Sequence, residues 1–451
     1  MSTEVSGWWR PATAATGPAL LPVETGTDVS RGSKLAFWAL MAFTCLLLLS
    51  PQSFVPALGA LHLPLLTAVV AGAAYVTSRL ARHASPFGIR PEVRIALFLA
   101  AWALLSVPLS LWPGGSVGFF FGIYFKALIV FWLLTGVVDS PERLRVASWV
   151  LSLLAAPLAL AAIKNYLSGA GQMQAQTHGL DRISGYDGSL TANPNDLALM
   201  LNLILPLSIA LFLSARSLVA RCVLAGLIAL DAVAIIASFS RAGFLVLGLT
   251  GAVYLVILFR RRRHGLAVLV LGGALAGVAL LPGAYLDRLS TITDIKADQT
   301  NSAQTRARDY LTAAKYVVEH PVIGAGVGMD ILALNDARGA TWTKVHDVYL
   351  EYAVDLGLPG LILFLWLLRA IFRSLKRARR IAAADPEALS LQCLLEGITV
   401  SLVGFMLAAL FYPDAYQFYF YYMGGLAIAG AAIVTARDSI PAERHAAAVA
   451  A

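Results

Sequence analysis

Hydrophobic blocks of about 20 residues recur along the whole chain, and they limit the possible folds more than any other feature. A helix of that length spans the roughly 30 Å hydrocarbon core of a bilayer. The 451 residues are 59% hydrophobic and 13% charged, and the mean hydropathy is +0.74. The blocks lack the period-two alternation of membrane β-strands, so helices must satisfy the backbone in lipid. We therefore predict an all-α integral membrane protein.

Twelve blocks predict about twelve transmembrane helices. They lie near residues 35–55, 58–78, 93–112, 117–138, 144–166, 196–214, 218–238, 242–260, 265–284, 347–370, 389–411 and 416–436. The predicted organisation is a flexible cytoplasmic tail (1–34), helices one to nine (35–284, with an outer loop at about 164–195), a large outer loop (285–346), helices ten to twelve (347–436) and a second cytoplasmic tail (437–451).

Basic residues are concentrated in alternate connections between the blocks. The segments assigned to the inside hold most of the 34 Lys and Arg residues. The outer loops 112–117 and 411–416 hold none. This asymmetry follows the positive-inside rule and places both termini in the cytoplasm. Anionic lipid at the inner face accounts for the net charge of +8, so membrane lipids are predicted partners and a nucleic-acid partner is not needed.

The residues that usually hold metals show no metal-binding pattern. The three cysteines fall inside hydrophobic blocks, which favours packing over a disulfide or metal framework. Zinc-protease spacings and an Asp-x-Asp pair are also missing from the sequence. The sequence therefore predicts no metal and no cofactor.

His346 is the leading candidate for chemistry. It lies in Val345-His346-Asp347-Val348-Tyr349-Leu350, where a long polar loop meets a hydrophobic block. A titratable group at that boundary is a functional candidate by default. A neutral imidazole can take a proton from a sugar hydroxyl. Asp347 and Tyr349 are possible supporting residues, although Asp347 could instead cap the following helix.

Two arginines are candidates for holding an anion beside His346. Arg241 lies between two strongly apolar blocks, and Arg306 lies one turn before Tyr310 on the inward face of an amphipathic helix that Pro321 ends. Guanidinium groups bind phosphate oxygens in a fork and neutralise a leaving pyrophosphate. Snorkelling or solvated arginines are the alternative reading. The further outer cations, Arg182 and Arg288, carry less weight.

Other polar residues have ordinary structural readings beside functional ones. Asn193 and Asn195 precede an apolar block and suit a helix start. The run from Ile323 to Gly328 reads as a flexible turn rather than a nucleotide loop. Four polar residues inside blocks are read as interhelical tethers or, less favoured, as a transport path: Lys126, Asp231, Asp355 and Glu396.

Four motifs together resemble the O-antigen ligase and polymerase superfamily. They are Asn193-Pro194-Asn195, Ser240-Arg241-Ala242-Gly243, Arg306 with His320-Pro321-Val322-Ile323-Gly324-Ala325-Gly326, and His346-Asp347-Val348-Tyr349-Leu350 with Gly357-Leu358-Pro359-Gly360. The similarity covers roughly residues 180–365. It implies a GT-C-like fold and an inverting, metal-independent glycosyltransferase. Such a ligase moves O-antigen polysaccharide from undecaprenyl pyrophosphate to the lipid A-core acceptor at the periplasmic face of the bacterial inner membrane.

The resemblance also implies roles for three residues. His346 matches the family's catalytic histidine, and Arg241 and Arg306 match its pyrophosphate-contacting arginines. Two positions depart from the family's pattern, because Asp347 stands where Asn is frequent and Tyr310 where Trp is common. An O-antigen polymerase or a protein O-oligosaccharyltransferase, which differ in acceptor, remain alternatives. A small-anion transporter is the alternative from another class.

Overall fold

The fold is a bundle of helices joined by short connections and two longer segments. A computed structural model describes residues 32–168, 172–173, 182–183, 186, 190–279, 302–339 and 342–450. The helices are α1 (Lys34–Leu49), α2 (Pro56–Gly59), α3 (Leu63–Leu80), α4 (Pro91–Ser106), α5 (Pro113–Phe119), α6 (Phe125–Val137), α7 (Pro141–Ser168), α8 (Pro194–Ser214), α9 (Leu218–Ala237), α10 (Arg241–Arg260), α11 (His264–Ala279), α12 (Ser302–Glu319), α13 (Asp330–Arg338), α14 (Val348–Ala383), α15 (Leu389–Ala408) and α16 (Phe418–Ala450). A short antiparallel pair, β1 (Gln172–Met173) and β2 (Arg182–Ile183), interrupts the helical order.

The described residues contain ten helices that are long and apolar enough to cross a membrane. Two shorter apolar helices, Lys34–Leu49 and His264–Leu275, complete the set. The prediction of an all-α, multi-pass membrane protein is confirmed. The GT-C-like arrangement, the orientation in the membrane and the domain boundaries stay predictions.

Proline and small polar residues determine where many helices begin. Proline is the first residue of α4, α7 and α8, where its missing N–H costs nothing and its fixed φ suits a helix. The side chain of Ser33 accepts a hydrogen bond from the first turn of α1. Ser240 does the same for α10. These starts agree with the predicted blocks to within a few residues.

Helix α8 is among the most buried helices of the bundle. Its most apolar segment is 83% buried, against 89% for that of α16 and 6% for that of Pro56–Leu80. Neighbouring helices satisfy its backbone carbonyls: Tyr254 of α10 donates to Pro206 at 2.9 Å, and Ser401 of α15 donates to Leu203 at 2.7 Å. Such side-chain hydrogen bonds between helices hold bundles together where lipid removes the hydrophobic drive.

The four polar residues inside predicted blocks behave differently from one another. Glu396 of α15 pairs with Arg261 at 2.9 Å, which is the expected interhelical tether. Asp231 is buried, and its carboxylate has no hydrogen-bond partner among the described residues. Lys126 is exposed, so the reading of it as an interhelical tether was wrong. The exposure of Lys126 and the pairing of Glu396 weaken the transport reading.

The long polar loop contains the predicted amphipathic helix. Helix α12 runs from Ser302 to Glu319 and ends just before Pro321, as expected. Helix α14 continues to Ala383, and α16 continues through Ala450, beyond the predicted boundary at 436. The first tail, residues 1–31, lies outside the described residues, as does the loop segment 280–301.

Candidate active site

The backbone on both sides of His346 is fixed by hydrogen bonds. The N–H of Val345 donates to Asp330 Oδ2 at 2.9 Å, and the N–H of Val348 donates to the Ala409 carbonyl at 2.7 Å. Both valine side chains are fully buried. His346 is therefore held at one place even though it lies in an extended segment between α13 and α14.

Helix α12 contacts the same segment through Tyr310. The Tyr310 Oη lies 3.1 Å from the His346 carbonyl oxygen and 2.6 Å from the Leu410 carbonyl oxygen, and its hydroxyl donates to them. Burial raises the pKa of Tyr310, so it stays a neutral donor. Tyr310 thus joins α12, the His346 segment and the connection between α15 and α16.

A buried ion pair fastens α12 from its other side. Arg338 Nη1 lies 3.3 Å from Asp309 Oδ1, and both side chains are almost completely buried. Arg338 also donates to the Thr343 carbonyl at 2.6 Å. Removing one partner of such a pair leaves an uncompensated buried charge and costs about 3–5 kcal/mol. The pair therefore couples the position of α12 to the segment that leads into His346.

The His346 ring is half-buried and electrically neutral at pH 7. Burial and, next in size, the Arg306 guanidinium lower the pKa of His346 to about 4, against opposing effects of Asp309 and the Lys344 backbone. Its Nδ1 has no hydrogen-bond partner among the described residues. Because Nδ1 is buried, a substrate proton would be accepted at Nε2, which is the basic nitrogen when the neutral ring carries its own proton on Nδ1.

Tyr412 contacts the start of α10 and is affected electrostatically by Arg306. Its buried hydroxyl lies 3.2 Å from Ser240 Oγ, and Ser240 caps α10, whose first residue is Arg241. Burial raises the pKa of Tyr412, and Arg306 is among the charges that oppose this rise. Arg306 therefore lies close enough to act electrostatically on both His346 and Tyr412. The start of α10, where Arg241 lies, reaches Tyr412 through Ser240. That the Arg241 side chain joins Arg306 and His346 stays a prediction.

A cluster of buried carboxylates supports the His346 segment. Besides Asp330, it contains Glu351, whose Oε2 accepts the Ala415 N–H at 3.0 Å. It also contains Asp355, which accepts the N–H groups of Gly328 at 2.8 Å and Met329 at 3.0 Å. The bonds of Glu351 and Asp355 tie the first turns of α14 to two separate connections.

Lys344 supplies the cluster with positive charge. Its Nζ lies 3.5 Å from Glu351 Oε1. Burial lowers the pKa of Lys344, but the surrounding carboxylates, Glu351 and Asp330 foremost, raise it above its usual value. The ammonium group thus stays charged two residues before His346. One oxygen each from Asp330, Glu351 and Asp355 lies within 4.8 Å of the others. Hard cations prefer such oxygens. The ammonium group of Lys344 already provides these carboxylates with a positive charge. The expectation of no metal stays a prediction.

The glycine-rich turn is packed against a break in α14, so its predicted flexibility was wrong. Gly357 has φ 67° and ψ −173° and interrupts the helix. The carbonyls released there accept the N–H groups of Ala325 and Gly326, each at 2.8 Å, and the N–H of Leu358 donates to Pro321 at 2.8 Å. A Cβ on Gly357 would lie 2.3 Å from the Val322 carbonyl oxygen. The glycine-rich turn at 323–328 and the motif that begins at Gly357 therefore pack directly against each other.

The other predicted residues have structural positions. Asp347 caps α14, because its Oδ1 accepts the Leu350 N–H at 2.9 Å. Tyr349 donates to the Met406 carbonyl at 3.1 Å. Asn193 caps α8 and accepts the Asn195 N–H at 2.9 Å, as the helix-start reading expected. Arg182 lies in β2, where side chains are outside the described residues, and Arg288 lies wholly outside them.

Sequence reasoning missed Lys344, Glu351, Asp330 and Tyr412. Each is an ordinary residue of a polar loop or a helix end when taken alone. Their roles depend on contacts between distant segments: Asp330, Glu351 and Lys344 form one charged cluster, and Tyr412 contacts Ser240. The usable signal was local: a lysine and an aspartate flank the His346 position within three residues.

Residues 224–365 match the family model described as O-Antigen ligase. This region is of the O-antigen ligase type. The resemblance predicted from the motifs is thereby confirmed for that part of the chain. The O-antigen ligase region begins in α9, ends in α14 and includes Arg241, Arg306 and His346, whereas Asn193 and Asn195 lie before it. A comparison with curated proteins found no match.

Proposed function

We propose that this protein is an inverting, metal-independent glycosyltransferase. It transfers O-antigen polysaccharide from undecaprenyl pyrophosphate to the lipid A-core oligosaccharide at the periplasmic face of the bacterial inner membrane. His346 is the general base, and Arg241 and Arg306 bind the pyrophosphate. The chain needs no cofactor in this scheme.

The observation that carries this proposal is a neutral, fixed imidazole beside an arginine, within the O-antigen ligase region. His346 has a pKa of about 4, and hydrogen bonds of Val345 and Val348 fix the backbone on both sides of it. Arg306 acts on it electrostatically. A base and an anion-binding group in one place suit a reaction that deprotonates a hydroxyl and releases a phosphate ester.

The proposed step balances with these groups alone. The acceptor hydroxyl gives its proton to His346 while its oxygen attacks the anomeric carbon of the donor sugar. The bond from that carbon to the pyrophosphate oxygen breaks, and the leaving group takes the electron pair. Arg241 and Arg306 stabilise the charge that grows there. Attack from the face opposite the leaving group inverts the anomeric configuration.

Donor binding strengthens the base in this scheme. Arg306 contributes to the lowered pKa of His346, and a bound pyrophosphate offsets the positive charge of Arg306. The pKa of His346 therefore rises when the donor is bound, because one cause of its depression is neutralised. The imidazole becomes a better proton acceptor only when there is a donor to react with.

The test is glycan transfer by purified protein in proteoliposomes that contain undecaprenyl-pyrophosphate-linked glycan and lipid A-core. We expect His346→Ala to reduce the rate about 10²- to 10⁴-fold, the usual contribution of a general base. The matched control is His264→Ala, which removes an exposed histidine at the first residue of α11. Retained activity in His346→Ala would remove the base from the mechanism.

A second variant tests the arginine fork. Arg241→Lys keeps the charge but loses the planar pair of donors, so we expect a loss of about 10- to 100-fold, the effect of a charged hydrogen bond. Arg260→Lys, at the other end of α10, is the control. A wild-type rate for Arg241→Lys would mean that charge alone suffices. Separate reactions with a second lipid-linked glycan or a protein acceptor distinguish ligase from polymerase or protein transferase.

A further inference from the structure

A groove of about 1120 Å³ lies between α4 and α14, at the end of α14 far from His346. The two helices run antiparallel here. The groove lies at the start of α4, near Pro91, and close to the end of α14, near Ala383. The groove has a basic part and an apolar part. It plays no role in the proposed sugar transfer.

Five basic side chains line one part of the groove: Arg94, Arg373, Lys376, Arg377 and Arg380. All five are exposed. The lining carboxylates are Glu92 and Asp438. Glu92 is buried and accepts a hydrogen bond from Ser374, so its carboxylate is already engaged. The lining therefore carries an excess of positive charge that suits an anion.

Aromatic side chains line the other part. Phe98 is 57% exposed and Trp366 is 50% exposed, and both line the groove. Phe98 lies one turn beyond Arg94 along α4, which is about 6 Å at 1.5 Å per residue. Trp366 lies two turns from Arg373 along α14, about 10 Å. The direction from basic to apolar is the same on both helices, because they run antiparallel.

We propose that this groove binds one anionic glycerophospholipid. Its phosphate lies among the arginines, and its acyl chains run along Phe98 and Trp366 toward the centre of the bundle's apolar belt. Charge complementarity supports the headgroup position, and the exposed aromatic rings support the chains. Basic pockets between membrane helices are suited to such headgroups. A free phosphate would contact only the basic part, so it does not account for the exposed aromatic side chains in the other part.

The experiment measures which lipids stay on the purified full-length protein. The protein is exchanged into vesicles of phosphatidylcholine with a minor fraction of phosphatidylglycerol carrying the same acyl chains. Lipids retained after detergent extraction are counted by native mass spectrometry. The groove variant is Arg373→Gln/Arg377→Gln. The control is Arg260→Gln/Arg262→Gln, which removes the same charge from exposed residues outside the groove lining.

We expect the wild type and the control to retain phosphatidylglycerol over phosphatidylcholine. In the groove variant the ratio of retained phosphatidylglycerol to phosphatidylcholine should fall by about 30-fold, because each of the two removed basic residues contributes about 5-fold. An unchanged preference in the groove variant, or an equal loss in the control, overturns the proposal.

Two further arms separate a lipid from a free phosphate. Trp366→Ala should weaken retention without a change of charge, and millimolar glycerol phosphate should not displace the lipid. Full displacement by glycerol phosphate, or normal retention by Trp366→Ala, would reject an acyl-chain site. Glycan transfer is not read in any arm, so this proposal and the proposed function fail independently.

Discussion

Replacing Gly357 with alanine tests whether the break in α14 organises the candidate site. The break joins the start of α14 to the turn at 321–329 through three backbone hydrogen bonds of 2.8 Å. That turn leads into Asp330, which holds the segment of His346. A side chain at Gly357 is therefore expected to disturb the site from a distance.

The expected cost has two parts. The backbone at φ 67° and ψ −173° lies in a region that is essentially restricted to glycine and costs about 1–3 kcal/mol for other residues. The added Cβ would lie 2.3 Å from the Val322 carbonyl oxygen and 2.5 Å from its carbon. Overpacking of this kind costs about 1–3 kcal/mol more. Gly357→Ala should therefore lower the free energy of unfolding by about 2–6 kcal/mol.

Two glycines provide matched controls. Gly339 has φ 79° but nothing within 4 Å of an added Cβ, so Gly339→Ala carries the conformational cost without the overlap. Gly248 lies inside α10 with nothing within 4 Å, so Gly248→Ala should not destabilise the protein. Unfolding of each variant by urea in mixed micelles, followed by tryptophan fluorescence, gives the order of the three losses.

Glycan transfer by the folded fraction of Gly357→Ala should also fall, because the turn and Asp330 shift together. The reasoning is refuted if Gly357→Ala has the same free energy of unfolding as Gly248→Ala. It is refuted in part if Gly357→Ala matches Gly339→Ala, because the carbonyl contact would then contribute nothing.

Three further predictions concern the residues around the imidazole. The kcat/KM for transfer should be flat from pH 8 to 5 and fall through pH about 4 as His346 is protonated. The kcat should begin to fall at a higher pH, because bound pyrophosphate offsets the charge of Arg306 and raises the pKa of His346. A half-maximal kcat/KM at pH 6.5 would contradict this. Lys344→Met should lower the free energy of unfolding in urea by about 3–5 kcal/mol, and Lys315→Met, at an exposed pair, should not. Tyr310→Phe should lower the free energy of unfolding by about 0.5–1.5 kcal/mol in the same titration, because the His346 and Leu410 carbonyls lose a hydroxyl donor. An unchanged free energy of unfolding would contradict this.

The helices could be predicted from the sequence because the bilayer demands them. A lipid-facing backbone must satisfy its own hydrogen bonds, so apolar length alone predicted the ten membrane-length helices of the described residues. Local signals also located the end of α12 before Pro321 and the cap at Asp347. These features depend on neighbours within one helical turn.

The contacts of the site could not be predicted in the same way. Gly324 and Gly357 are 33 positions apart, and no local rule shows that one requires the other. Lys344 looked like a loop residue, yet it is the charge that a buried carboxylate cluster needs. Lys126 shows the opposite error, because a lysine inside an apolar block was read as an interhelical tether and is exposed instead. Hydropathy counts charges but does not show which of them meet.

The attachment of α12 restricts how a large sugar acceptor reaches His346. Asp309 anchors this helix to Arg338, and Tyr310 joins it to two carbonyls. Swinging the helix outward would break all of these contacts at every turnover. In the proposed reaction, the acceptor would therefore reach His346 while α12 stays in place.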